Sequence, residues 1–598
     1  MNFDSKILLP IIISSLVGCA SDHDVKTDQS AGKKPSSPLQ TISVQEKELK
    51  QEVLVDDIDE SLAGQIEHDQ TSLRTIVAEH QTKLKHNGKV AHRAKNSPEL
   101  SSMQLPKAAK LFAHTDNQTF YYQDKDREQY ASLAQSAVKQ VSTEPVSTFS
   151  IDVDTGSYTN IRRMLNQGSL PPIDAVRIEE MINYFDYAYA SPDASDHPFS
   201  IQTELALSPW SKDHALLRVG LKGYEPMAEK RPASNLVFLL DVSGSMNAPD
   251  KLPLLKKSLL LLSKQLNSSD KVSIVVYAGA SGVVLEPTAG NQTLEIEKAL
   301  ENLSAGGSTN GQAGIQLAYQ LAKKSYDPAG INRVILATDG DFNVGTSDVD
   351  SLKKLIEQKR EEGISLTTLG FGTGNYNDEL MEQLADVGNG NYAYIDGLNE
   401  ARKVLVEELS STLMTIAKDV KIQVEFNPDV VKEYRLLGYE NRALAREDFN
   451  NDKVDAGEIG AGHTVTALYE LVLQGSGGQR VDPLRYQEEP APQTKTKDQA
   501  SNELAYIKFR YKNVNETKSK LISQPIIMPR QIIAFDQATE DFRFAATVAE
   551  FGEVLRQSKY VSGLDYKTMI EHASNAKGSD HFGYRSEFIQ LLRLASNL

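Results

Sequence analysis

Five side chains that carry oxygen stand in three separated loops, and their types favour binding of a hard divalent cation. Asp241, Ser243 and Ser245 alternate directly after a short apolar run. Thr309 lies in a glycine-rich stretch ahead of a helical pattern, and Asp339 follows a second apolar run. Carboxylate and hydroxyl oxygens suit Mg²⁺, Ca²⁺ or Mn²⁺ better than zinc or copper. Asp241, Ser243 and Ser245 are therefore candidate metal ligands, and the two further loops offer additional oxygen donors.

The elements that must position these loops read as alternating strands and helices. Short apolar runs predict strands that are buried on both faces, and the alternation with helical patterns predicts a doubly wound, mostly parallel α/β sheet. We expect one antiparallel edge strand and a last helix at 398–414. Polar loops at the carboxyl ends of parallel strands are the usual place for a ligand site. The predicted strands are 236–240, 272–277, 282–285, 334–337, 364–369 and 392–395.

The three loops together resemble the metal-ion-dependent adhesion site of the von Willebrand factor type A domain. The family pattern is D-x-S-x-S, then a Thr, then an Asp, and it is matched without substitution by Asp241, Ser243, Ser245, Thr309 and Asp339. The resemblance covers residues 233–417. It implies that the hydroxyls coordinate a cation, Mg²⁺ first and Mn²⁺ or Ca²⁺ as alternatives, and that the two carboxylates do so directly or through water. It also implies an open coordination position for an acidic side chain of a protein partner.

The flanking regions are predicted to form two further units. Residues 146–232 read as a small α+β N-terminal domain, and residues 418–598 as a β-sandwich-like C-terminal domain with a helical end. A chain of 598 residues is long enough for several cores, since single cores stop growing at about 250–300 residues. The order of the parts resembles a family of bacterial lipoproteins with a central type A domain and, loosely, inter-alpha-trypsin inhibitor heavy chains.

The N-terminal residues indicate export and lipid anchoring. Residues 7–18 are apolar or small apart from two serines, which is typical of a signal-peptide core and too short to span a bilayer. Leu16-Val17-Gly18-Cys19 resembles the bacterial lipobox, which implies a signal peptide over residues 1–19 and lipidation of Cys19; an ordinary secretory signal is the alternative. By resemblance, the residues after Cys19 favour the outer membrane. Residues 20–145 are polar and predict a largely disordered tether.

Two rival motifs leave alternatives open. Asp154-Thr155-Gly156-Ser157 imitates an aspartic protease loop, but that chemistry needs two such loops and the sequence has one. Gly370-Phe371-Gly372-Thr373-Gly374 suggests a phosphate loop, yet its glycine spacing fits a tight turn better. Neither motif supplies a complete catalytic constellation, so we expect a protein that is not an enzyme.

A third stretch, Asp448 to Asp452, resembles the start of a calcium loop. Its sixth position is Lys453 and its twelfth is Ile459, which excludes an EF-hand. A looser Ca²⁺ site stays open, with ligands from Asp448, Asn450, Asp452, Asp455 or Glu458.

The net charge of −17 argues against a nucleic-acid partner, because phosphate binding needs a basic surface. Together, the metal-site resemblance and the lipobox-like residues lead us to expect a monomeric lipoprotein of the outer membrane. We expect it to face the periplasm and to bind a protein through a divalent cation. The alternatives are an envelope hydrolase or protease that uses Asp154, and a structural spacer whose cation only stabilises the loops.

Overall fold

The computed structural model describes residues 128–132, 134–192, 197–225, 231–340, 342, 349–482, 502–561 and 565–598. The predicted signal peptide, the predicted lipidation site Cys19 and the predicted tether as far as residue 127 lie outside the described residues. Within the described part, none of the helices is long and apolar enough to cross a bilayer.

The first described segment supplies four strands and two helices, and it begins inside the predicted tether. Residues 139–140 pair with a strand of the C-terminal segment, and Val141 is buried in the adjoining core. The stretch just before residue 146 is therefore part of the fold and not of a tether, because it pairs with a strand and buries Val141 in the core. The elements are β1 (Lys139–Gln140), β2 (Val146–Ser150), α1 (Gly156–Asn166), α2 (Ile178–Asn183), β3 (Phe199–Leu207) and β4 (His214–Gly223).

The central segment forms the predicted α/β domain. Its six-stranded sheet has the order β10-β9-β8-β5-β6-β7 and is parallel except for the β6–β7 pair, so the antiparallel edge strand is confirmed. The elements are β5 (Ser234–Asp241), α3 (Leu252–Ser263), β6 (Lys271–Tyr277), β7 (Ser281–Ala289), α4 (Thr293–Glu301), α5 (Gly311–Lys324), β8 (Ile331–Thr338), α6 (Val349–Glu361), β9 (Ser365–Phe371), α7 (Asp378–Val387), β10 (Tyr392–Ile395), α8 (Leu398–Arg402) and α9 (Leu409–Leu413).

Every residue of β5 is buried, because helices cover both faces of the sheet. Leu236, Phe238 and Leu240 enter the core under α3 and α4, whereas Val237 and Leu239 enter the core under α5 and α6. Successive side chains of β5 therefore pack into the two hydrophobic layers in turn.

The last helix of the central domain is interrupted, which the sequence did not predict. The predicted helix 398–414 appears as α8 and α9 with a π-helical turn at Lys403–Glu407 between them. Lys403 is buried in that turn, where its ammonium contacts Glu408 and lies 4.5 Å from the ring centroid of Tyr184. A charge buried in this way requires such partners, and the widened turn accompanies them.

The C-terminal segment does not form a domain by itself, which differs from the predicted division at residues 146–232 and 418–598. Its strands share both remaining sheets with the first segment: one has the order β1-β12-β14-β4-β3, and in the other β11 pairs with β2, β13 and β15. The elements are β11 (Thr415–Phe426), β12 (Val431–Leu437), β13 (Ile459–Gly460), β14 (Thr464–Leu473), β15 (Glu503–Asn513), β16 (Lys520–Ile527), α10 (Glu540–Leu555), α11 (Tyr566–Asn575) and α12 (Tyr584–Ala595).

The two antiparallel sheets pack face to face around one core, and helices from both segments cover the outer face of the β4 sheet. On β4, Leu217 and Val219 point into the sandwich, while Leu216 points to the helices. Tyr158 of α1 and Phe588 of α12 belong to that helical core. The central domain is thus inserted between two segments that complete each other.

Buried arginines join the inserted domain to this body. Arg162 of α1 contacts Asp396 and Glu400 of the central domain at 2.5 and 2.8 Å, and Glu587 of α12 at 2.9 Å. Its side chain is 4% exposed. A buried charge is tolerated only when it is paired, so this contact holds three segments together.

We predict that Arg162→Met lowers the free energy of unfolding by about 3–5 kcal/mol, because it leaves buried carboxylates without their cation. Urea unfolding followed by tryptophan fluorescence would measure the change. Lys324→Met is the matched control: Lys324 pairs with Glu286 on the surface, and its loss should cost at most about 1 kcal/mol. Equal losses in the two variants would contradict the role of Arg162.

Glu179 of α2 is a buried acid whose environment disfavours its charged form. It is fully buried, and burial together with the neighbouring Glu440 and Asp152 raises its pKa to about 8. The folded state therefore holds a proton on Glu179 between the ordinary carboxyl pKa and about pH 8, which the unfolded state does not. The stability that comes from this proton is complete at acidic pH and is lost as the pH rises through this window.

Glu179→Gln mimics the protonated side chain, so we predict that it stabilises the protein at about pH 8.5 and has little effect at about pH 4.5. Thermal unfolding of both proteins over this range gives the difference in Tm at each pH. A difference that does not change with pH would show that Glu179 does not carry the shifted pKa.

Candidate metal centre

Asp241 ends β5 at the carboxyl edge of the central sheet, and hydrogen bonds fix both of its oxygens. Oδ1 accepts from the amide of Ser243 at 2.8 Å, and Oδ2 accepts from the hydroxyls of Thr338 and Tyr277 at 3.0 and 3.2 Å. The side chain is fully buried, and desolvation raises its pKa to about 6 although the hydrogen bonds from Ser243 oppose this rise. The carboxylate is thus held in one orientation by neutral donors.

The two serines of the same loop converge beside it. Ser243 is buried and Ser245 is exposed, and their Oγ atoms lie 2.9 Å apart. Neighbouring ligands of an octahedral Mg²⁺ with bonds of 2.0–2.1 Å are separated by about 2.9 Å. The spacing and chemistry of these donors therefore fit a divalent cation, with an approach from solvent on the side of Ser245.

The loop that carries Thr309 is bonded to the first loop through its backbone. Gly306 donates to the carbonyl of Val242 at 2.7 Å, and Gly244 donates to the carbonyl of Gly307 at 3.1 Å. These bonds bring Thr309, which is half-buried, to the same edge of the sheet.

Asp339 follows β8 directly, and the neighbouring Thr338 bonds to Asp241. The carboxylate of Asp339 is buried, and its Oδ2 accepts from Nζ of Lys251 at 2.8 Å. The structure therefore places the five predicted ligands on one edge of the sheet. It also adds three groups that the sequence analysis did not select: Tyr277, Thr338 and Lys251. Tyr277 and Thr338 end their strands, which is a usable signal, whereas Lys251 only precedes a helix.

A second buried group of acids lies away from this edge, where the three segments meet. Asp152, Asp154 and Glu382 bring carboxylate oxygens within 4.8 Å of one another. Arg442 lies among them, 3.1 Å from Asp152, 3.1 Å from Asp154 and 3.2 Å from Glu382. A guanidinium already pairs with all three carboxylates, so this cluster is an ion-pair network between segments.

Asp154, the candidate for protease chemistry, is engaged in the same contact. Its Oδ1 accepts from the amide of Tyr392 in β10 at 2.8 Å, and its Oδ2 accepts from Arg442. Gly156 allows this approach, because a Cβ there would lie 2.2 Å from the ring of Tyr392. The Asp-Thr-Gly stretch therefore packs against β10 of the central domain.

The stretch 448–458, for which a looser Ca²⁺ site was left open, also contacts protein cations; Asp455, for example, pairs with Arg360. Nζ of Lys421 donates to the carbonyls of Asp448 and Asn451 at 3.1 and 2.7 Å. Arg510 donates to Asn450, and the carboxylate of Asp452 accepts from Ser519. An ammonium and a guanidinium thus satisfy oxygens that a Ca²⁺ site would need.

Comparison with known proteins agrees with this architecture. Residues 235–407, which include all five predicted ligands, match the von Willebrand factor type A domain, and residues 411–598 match the C-terminal region of YfbK. Residues 124–218 match a model described as von Willebrand factor. The YfbK protein of Escherichia coli K12 is 47% identical over 476 residues, which are 78% of this chain and 81% of that protein. The chain belongs to the YfbK family.

More distant relatives share parts of the chain. Human inter-alpha-trypsin inhibitor heavy chain H3 is 24% identical over 261 residues, which cover 40% of this chain and 28% of that protein. A solved von Willebrand factor type A structure from Catenulispora acidiphila covers 69% of this chain and 89% of its own at 14% identity, with a TM-score of 0.35. The type A domain of this YfbK-family chain indicates a protein-interaction or adhesion-type function.

We predict that Gly156→Ala destabilises the protein by about 1–3 kcal/mol, because the added methyl overlaps the ring of Tyr392. Gly397→Ala is the control, since Gly397 has an extended backbone and an added Cβ would have no atom of the described residues within 4 Å. Urea unfolding compares the two. A Gly156→Ala protein as stable as the control would mean that the Asp-Thr-Gly stretch is not packed against β10.

Proposed function

We propose that the chain binds a protein partner through a divalent cation, Mg²⁺ in the first place, at the carboxyl edge of the central sheet. The observation that supports this is the convergence of Asp241, Ser243 and Ser245 beside Asp339, with Ser245 open to solvent. Ser243, Ser245 and Thr309 would hold the cation through hydroxyls, and the two aspartates directly or through water. When bound, the cation supplies a positive position that a partner's carboxylate can fill.

The chain's own residues prepare this edge before a partner arrives. Tyr277 and Thr338 keep Asp241 in one orientation, and backbone bonds hold the Thr309 loop against the first loop. The donors are therefore preorganised, which reduces the entropy lost on binding.

We further propose that the protein is a monomeric lipoprotein anchored at Cys19 in the outer membrane and facing the periplasm. This rests on the lipobox-like Leu16-Val17-Gly18-Cys19 and on the acidic composition. No enzymatic role is proposed, because Asp154, the candidate for protease chemistry, is bonded to Arg442 and to the backbone of β10. A structural spacer is the second candidate, favoured by the burial of the two aspartates.

We predict that Asp241→Asn weakens Mg²⁺ and Mn²⁺ binding at least about tenfold, because it removes one of two anionic ligands while keeping the shape of the side chain. Isothermal titration of each cation into the full chain in detergent measures this. Asp350→Asn, an exposed aspartate of the same domain, is the control and should bind as the wild type does. Undiminished binding by Asp241→Asn would disprove the proposed site.

The partner is tested by capture from envelope extract on the immobilised chain, with Mg²⁺ or with EDTA. A protein retained with Mg²⁺, released by EDTA and not retained by Asp241→Asn supports the binding function. Cation binding without any EDTA-sensitive retention favours the spacer.

A further inference from the structure

Lys251 is a buried lysine that faces the candidate metal centre. It stands immediately before α3, is 7% exposed, and its Nζ lies 2.8 Å from Oδ2 of Asp339. Long cationic side chains usually extend to solvent. This one instead delivers its charge to a predicted metal ligand.

The path of the side chain is built into the fold. The aliphatic part of Lys251 crosses the loop after β9, where a Cβ on Gly372 would lie 2.3 Å from its Cγ and Cε. Gly372 has φ +73°, which a residue with a side chain rarely adopts. The carbonyl of Gly372 accepts from the hydroxyl of Tyr394 at 2.6 Å, so the loop is fixed as well. Gly372 therefore gives Lys251 its route to Asp339.

The two acids of the centre consequently differ in charge balance. Asp241 is held by neutral donors, whereas Asp339 is paired with an ammonium. A divalent cation that enters the centre meets one carboxylate that is already compensated and a positive charge close behind it. In a partly desolvated site such a charge repels the cation strongly.

We propose that Lys251 is a fixed counter-ion of Asp339 and thereby lowers the affinity of the site for the cation. The bound cation then keeps more positive charge to offer an acidic partner. This inference rests on the proposed function and deepens it. Lys251 acts through Asp339 and is a positioning and affinity-setting residue, not a ligand.

The test compares cation binding by the full chain in detergent, using MgCl₂ and MnCl₂ as probes in isothermal titration. Lys251→Met should bind each cation at least about tenfold more tightly, because it removes a positive charge beside the site. Lys257→Met removes the same charge from an exposed position of α3 and should leave the affinity within about threefold. Unfolding with and without Mg²⁺ gives an independent readout: the rise in Tm at a fixed Mg²⁺ concentration should be larger for Lys251→Met than for wild type.

Gly372→Ala is a second variant, because it keeps the charge but closes the route of the side chain. It should also bind Mg²⁺ more tightly than wild type. Unchanged or weaker binding by Lys251→Met overturns the inference, since the ammonium would then serve to orient Asp339 for the metal. Binding by Lys251→Met where wild type shows none supports it. If no variant binds either cation while all unfold cooperatively, the proposed function fails, and the inference with it.

Discussion

The structure depends on buried arginines that are shared by carboxylates from different parts of the chain. Arg162 of the first segment reaches the central domain and the last helix, and Arg442 of the third segment reaches the other two. An unpaired charge in the interior costs far more than a surface ion pair yields. No segment can therefore withdraw without leaving charges unpaired. The need to keep these charges paired, together with the shared sheets, joins the inserted domain and its flanks into one body. The candidate metal centre lies on this body.

A short series of contacts connects the first segment with the candidate metal centre. The guanidinium of Arg163 lies 5.5 Å from the ring centroid of Tyr394, whose hydroxyl bonds to the carbonyl of Gly372. Gly372 in turn shapes the path of Lys251 to Asp339. Contacts in series do not by themselves establish coupling between their ends. They do mean that the position of one ammonium depends on the loop after β9, and that this loop is bonded to Tyr394, which in turn contacts Arg163 of α1.

The loops that carry the five predicted ligands could be recognised in the sequence because the residue patterns that mark them are local. A buried strand followed by alternating oxygen donors specifies both the element and its polar end, as at β5. The other strands of the central sheet were predicted from short apolar runs that alternate with helical patterns. The strand pairing of the flanks could not be predicted, because β2 pairs with β11 across the whole inserted domain. An alternating pattern identifies a strand but does not name its partner. Lys251 was missed for a related reason, since its role depends on Gly372, a residue far away in the chain.

Asp154 and Asp241 show how surroundings decide the use of similar residues. Both are buried carboxylates in turns with hydroxyl side chains, and burial raises the pKa of each. Asp154 meets the guanidinium of Arg442, so it is already paired with a cation of the protein itself. Asp241 meets neutral donors, so its charge stays available to a cation from solvent. Asp339 lies between these cases, because the ammonium of Lys251 faces one of its oxygens. In the proposed site, one available and one compensated carboxylate would offset less of the charge of a divalent cation than two available ones, and the charge left over is what the proposed acidic partner would contact.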